Sequence, residues 1–114
     1  MNINEMRALI RQCSADAQLL IHDLHDREPG NETFSQVGLL DGDQIVKEYL
    51  DHNEFGIALD HVLYMVHESD ICFDPQSVLA LHALAEKLKI DNHYTAANLA
   101  SLGVTSAFNV PNPR

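Results

Sequence analysis

The sharpest cluster of chemically versatile side chains in this sequence is His22-Asp23-Leu24-His25-Asp26. Histidines three apart on a helix project to similar sides and can share a metal ion, with a carboxylate such as Asp26 as third ligand. The cluster lacks the HExxH spacing of a helical zinc site, and no cysteine lies near it. Imidazoles at a helix C-terminus also interact favourably with the dipole there, which accounts for the same residues without a metal. His61 and His67 are six apart, on different faces of one short helix, and make no pair.

Nucleophilic chemistry has less support. Cys13 and Cys72 are far apart in apolar contexts and form no CxxC. Neither has the electropositive surroundings that lower a thiol pKa, so both read as reduced, buried and inert. No GxSxG, GxGxxG or glycine-rich phosphate loop occurs. Seventeen acids make paired carboxylates inevitable, so their presence discriminates nothing. The residues therefore point away from an enzyme and call for no cofactor.

Charge is more informative. Seven Lys and Arg face seventeen Asp and Glu, a formal net charge of −10. Nucleic-acid binding by phosphate neutralisation needs a basic patch, and the few basic residues here are scattered. An anionic membrane surface is disfavoured for the same reason. The acids are uneven along the chain: residues 41–74 hold nine acids and only Lys47, net −8, whereas residues 75–114 are net +1. Such a segment favours a basic protein partner, although a solvated acidic face has the same composition. The residues expected at such a face are Asp41, Asp43, Glu48, Asp51, Glu54, Asp60, His61, Tyr64, Glu68 and Asp70. Asp41, Asp43, Asp70 and Asp74 can also serve as helix caps.

These residues must be positioned by helices. With 114 residues the chain makes one domain that buries roughly two-thirds of its unfolded surface. Five Gly and four Pro are too few for a many-turned β-fold. Ile3, Met6, Ile10, Cys13, Ala17, Leu20 and Leu24 recur three and four apart, widened by Leu9 and Ile21, and predict an amphipathic first helix. Ser14 and Asp16 leave open whether it is one helix or two. Pro29-Gly30 ends it. A connector runs to Leu40, with Val37, Leu39 and Leu40 expected against the core. Asp41 or Asp43 should cap a second helix with Ile45, Val46, Tyr49 and Leu50 inside. A turn at His52-Asn53-Glu54 leads to a third helix over 54–68, buried through Phe55, Ala58, Leu59, Val62, Leu63 and Val66. Asp74-Pro75 starts a fourth, with Val78, Leu81, Leu84, Ala85 and Leu88 inward. A last helix is expected from Asp91 or Asn92 to Gly103, followed by a loosely ordered tail over 104–114. The expected fold class is all-α, a compact bundle of about five helices with short loops. No apolar run approaches the ~18 residues of a membrane span. Polar residues in MNINEMRALI stand where a secretory core would lie, so a cytoplasmic protein is expected.

The stretch from Val46 to Tyr64, VKEYLDHNEFGIALDHVLY, resembles the signature of the small immunity proteins of Maf polymorphic-toxin systems. In that family an apolar residue precedes Asp-His-(Gly/Asn)-Glu-(Phe/Tyr)-Gly, matched here from Leu50 to Gly56. Glu68-Ser69-Asp70-Ile71 and Leu84-Ala85-Glu86-Lys87-Leu88 match the segments that follow. The resemblance spans residues 44 to 90, and the two ends of the chain add nothing to it. It implies a non-enzymatic, cytosolic antitoxin that binds the C-terminal toxin domain of a cognate effector, as the immunity proteins of contact-dependent growth inhibition do. Such toxins are commonly basic nucleases, the complement of the acidic segment. Physically, Gly56 would let the preceding helix approach closely, Tyr49 and Phe55 would pack across the turn, and residues 51–54 would form an exposed corner. The alternative is a metal-binding or regulatory helical protein using His22 and His25. A small enzyme ranks third.

The two leading readings part on metal dependence. Chelator treatment is expected to leave the helical circular dichroism and the melting temperature unchanged. A fall of several degrees would instead make ligands of His22, His25 and Asp26.

Overall fold

A computed structural model describes residues 1–90. Four α-helices and one 3-10 turn make up the regular structure of these residues, and there is no strand among them. The helices are α1 (Ile3–Arg27), α2 (Gly42–Asp51), α3 (Phe55–Glu68) and α4 (Pro75–Lys87), with the 3-10 turn at Glu32–Ser35. About five helices were expected. The fifth, from Asp91 or Asn92 to Gly103, and the tail after it lie outside the described residues.

Local chemistry explains most of the boundaries. Asn2 and Glu5 form a reciprocal capping box at the start of α1, each side chain accepting the other's backbone N–H at 2.8 Å. The helix stops at Arg27, just ahead of Glu28-Pro29, because a residue before proline is steered out of the helical region. α2 ends in a Schellman motif. Asn53 takes a left-handed φ of 58°, Glu54 N–H donates to the Tyr49 carbonyl, and Asn53 N–H donates to that of Leu50. The same motif closes α4, with Lys89 left-handed and Ile90 N–H donating to the Ala85 carbonyl. Asp74 caps α4 as its sequence suggests, accepting from Ser77 N–H and Oγ, with Pro75 at the first helical position.

α1 and α3 form the central pair. Each packs against both α2 and α4, while α2 and α4 hardly meet. α3 buries Ala58, Leu59, Val62, Leu63, Met65 and Val66, which occupy most of its circumference. A helix apolar nearly all round is what a position among three neighbours requires.

Ser14 does not break α1. Its hydroxyl is buried and donates to the Asp43 carboxylate at 2.7 Å, so α1 is one continuous helix. The buried stripe runs through Ile10, Cys13, Ser14, Ala17, Gln18 and Ile21, which leaves the expected core residues Ile3 and Leu20 exposed. Neither Asp41 nor Asp43 caps α2 with its side chain. Gln18 does so from α1 instead, its Oε1 accepting Asp43 N–H at 2.6 Å. Of Val37, Leu39 and Leu40 in the connector, only Leu39 is buried. Val37 and Leu40 point outward, and Phe34, buried against the edge of the His25 ring, supplies the anchor in their place. Cys13 is buried, but Cys72 is exposed because Phe73, the next residue of the loop, takes the inward position.

The close approach of helices falls at Gly42 rather than Gly56. A Cβ on Gly42 would sit 2.6 to 2.8 Å from Sδ, Cε and Cγ of Met65, whereas one on Gly56 would only touch Ile90 at 3.5 Å. Met65 is fully buried, so it can give way only by repacking against its neighbours. Gly42→Ala is therefore expected to destabilise by about 1–3 kcal/mol through overpacking, against alanine's better helix propensity. Gly30→Ala, with nothing within 4 Å of the added Cβ, should change stability by less than about 0.5 kcal/mol. Urea denaturation of both variants checks the contrast. Equal midpoints would show that Met65 yields.

Candidate protein-binding surface

The outward stripe of α2 is acidic. Asp41, Gln44, Glu48 and Asp51 follow one another at spacings of three, four and three, which keeps them on one helical face, and all four are exposed. The stripe runs into the corner of Asp51, His52, Asn53 and Glu54, also exposed throughout. Arg7 holds that corner from α1. Its guanidinium donates to the Leu50 carbonyl and to Asn53 Oδ1, and it lies 5.0 Å over the Phe55 ring. The corner is thus shaped by Schellman geometry and fixed by a cation, with the carboxylates of Asp51 and Glu54 left facing water.

The other expected site residues divide. Asp60 is exposed on α3. Asp43 is drawn inward, bonded to Ser14 and paired with Lys47 at 3.1 Å. Lys47 is the only Lys or Arg in residues 41–74, and this pair engages its charge. Asp70 accepts from Thr33 Oγ1 at 2.8 Å and ties the 3-10 turn to the end of α3. Glu68 is half-buried, and its carbonyl accepts from the Gln36 amide.

His61 and Tyr64 act on the connector. Tyr64 donates its hydroxyl to the Val37 carbonyl at 2.7 Å, and His61 Nε2 lies 2.9 Å from the Gly38 carbonyl. The Tyr64 phenol is raised above its ordinary pKa by burial and then by Glu68, so it stays a hydrogen-bond donor. Gly38 is required here. Its φ is +87°, and a Cβ would meet His61 Cε1 at 2.8 Å.

His22 and His25 are engaged separately. His22 Nε2 is 2.9 Å from the Leu40 carbonyl, and the His25 ring stacks edge-on with Phe34. No group of three or more His, Cys, Asp or Glu among the described residues is placed to hold a metal ion. The Cys13 thiol is pushed up to about 11, first by burial and then by Asp16 and Asp74, which suits a packing role and not a nucleophile. No helix among the described residues is long and apolar enough to cross a membrane. No protein-family model, curated protein or solved structure matches this chain.

One pair of residues escaped the sequence. His67 on α3 and His82 on α4 bring their Nε2 atoms to 3.3 Å, with ring centroids 5.5 Å apart. They are fifteen residues apart on different helices, so no local spacing signals them. A neutral ring can donate to its partner, but two imidazolium rings would oppose donor to donor. Burial lowers the pKa of both rings, and His82 lowers that of His67 further, to about 4. Well above pH 6.5 both rings are neutral in the folded and the unfolded chain. Below it the unfolded chain takes up protons that the fold resists, so stability is lost as pH falls from 6.5 towards 4. His82→Leu is expected to flatten that part of the stability profile. Urea midpoints at pH 7.5, 6 and 4.5 check this, and parallel profiles would clear the pair of any part in acid sensitivity.

Proposed function

We propose that this chain is a non-enzymatic immunity protein that binds and neutralises a cognate bacterial toxin domain, a basic protein of the nuclease type, in the cytoplasm. The observation that carries this reading is the exposed acidic stripe on α2 and its corner, where Asp41, Glu48, Asp51 and Glu54 face solvent and Lys47, the one Lys or Arg of residues 41–74, is paired with Asp43. The resemblance of residues 44–90 to Maf-type immunity proteins supports the same conclusion. A surface of this charge attracts a cleft that binds a polyanion and repels nucleic acid itself. Inhibition follows by covering that cleft or an exosite beside it, with no chemical step and no cofactor.

Steering by exposed charge acts on the association rate and is screened over ~8 Å at physiological ionic strength. Asp51→Lys with Glu54→Lys leaves the Arg7 contacts to Leu50 and Asn53 in place. This double reversal is expected to slow association with the toxin domain encoded beside this gene by roughly tenfold at low salt, and to change dissociation little. Lys87→Glu with Lys89→Glu, at the end of α4, should not weaken binding. Surface-based kinetics at two salt concentrations check both. Unchanged rates and salt dependence in the first variant would reduce the stripe to a solvated face.

A further inference from the structure

We propose that residues 37–40 form a preorganised apolar docking ridge, and that Val37 and Leu40 insert into an apolar recess with a basic rim on the partner protein. This rests on the toxin-inhibitor reading for the partner's identity alone. Val37 is 89% exposed and Leu40 38%. Ile57, 48% exposed, stands one turn before His61 on α3, and Leu19, 71% exposed, stands one turn before His22 on α1. His61 and His22 are the residues that grip the segment from either side, so Ile57 and Leu19 stand one helical turn from the points where α3 and α1 hold it.

A connector with outward aliphatic side chains would ordinarily be a loose loop. Here four successive carbonyls are each held by a different side chain. Val37 accepts from Tyr64 and Gly38 is bonded by His61, both on α3, while Leu39 accepts from Gln18 and Leu40 is bonded by His22, both on α1. Leu39 is fully buried beneath. The strip therefore displays its apolar side chains in one geometry before any partner arrives, which lowers the entropic cost of docking. This arrangement also gives His61 and Tyr64 a role at the interface: they position the ridge from behind.

Charge identifies the partner class. Residues 28–46 and the whole of α3 contain no Lys or Arg, while Asp41, which follows the strip, and Asp60, which precedes His61, are exposed. An apolar centre with an acidic rim fits an apolar recess with a basic rim. A second copy of this chain would bring like charges together in a symmetric dimer, so self-association is disfavoured.

The test uses the full chain carrying Val37→Asp and Leu40→Asp. Val37 is almost fully exposed and Leu40 only partly, so the melting temperature of the double variant is measured beside that of Val37→Asp alone, which should match wild type. The new charges have the sign that favours a basic partner, so any loss of binding reports lost apolar contact. With the toxin domain encoded beside this gene, the variant is expected to dissociate thirty-fold faster or more. Tyr64→Phe, which removes one of the four grips, should weaken binding about tenfold. If the toxin domain binds and the Val37/Leu40 variant behaves as wild type, the ridge is overturned and the toxin-inhibitor reading stands. If the toxin domain does not bind, that reading fails, and the ridge is decided by methyl NMR of the free chain titrated with a synthetic amphipathic Lys/Leu peptide. Saturable, salt-sensitive shifts at Val37 and Leu40 support it. No shifts, or shifts confined to the recess of about 300 Å³ lined by Met1, Ala83 and Leu84, overturn it. Sedimentation showing a dimer that the variant abolishes would likewise overturn the assignment of a basic partner.

Discussion

A row of three polar side chains along α1, Ser14, Gln18 and His22, holds the chain from Leu39 to Asp43. Ser14 reaches the Asp43 carboxylate, Gln18 bridges the Leu39 carbonyl and the Asp43 amide, and His22 meets the Leu40 carbonyl. The spacing of four puts them one turn apart on one face. Gln18 is buried, and a buried amide left without partners costs about 1–3 kcal/mol, so the row and the segment it holds must form together. Everything after it follows from this seam. It starts α2, sets Gly42 against Met65, and presents the connector to α3, where His61 and Tyr64 complete the grip.

The apolar interior is organised by α3, and the polar exceptions in it are informative. Ser69 is fully buried and returns its hydroxyl to the Met65 carbonyl at the end of α3, relieving an orphan acceptor at a helix terminus. His67 and His82 place titratable rings where α3 meets α4. α2 is held to α1 by Arg7 and the Asp43 network, and to α3 by the close packing of Gly42 on Met65. The α3–α4 contact carries the two rings whose protonation the fold resists.

Surface and interior share a single charge logic. Acids that stabilise the fold are taken out of circulation: Asp43 in the seam, Asp70 on Thr33, Asp74 as a cap. Those on the outward face of α2 and at its corner remain free to act at a distance. In the proposed complex, long-range attraction comes from the acidic stripe and short-range apolar contact from the 37–40 strip. Electrostatic steering and apolar anchoring govern different rates, so the two parts contribute separately to a complex.

The sequence by itself determined the elements. Pro29-Gly30, Asn53, Asp74-Pro75 and the periodic apolar stripes are signals read within a turn or two of chain, because capping, proline geometry and helical periodicity are local. The exposed corner at 51–54 and the concentration of acids in 41–74 were legible for the same reason. Tertiary structure decided which polar groups turn inward, since that depends on partners distant in sequence. Gln18 caps a helix that begins 24 residues later, Asp43 and not Asp41 is drawn into the seam, and His67 finds His82. It also decided the exposure of Cys72, Val37 and Leu40. Those residues lie in irregular segments without a period, where only the neighbours Phe73, Phe34 and Leu39 settle which side chain reaches the core.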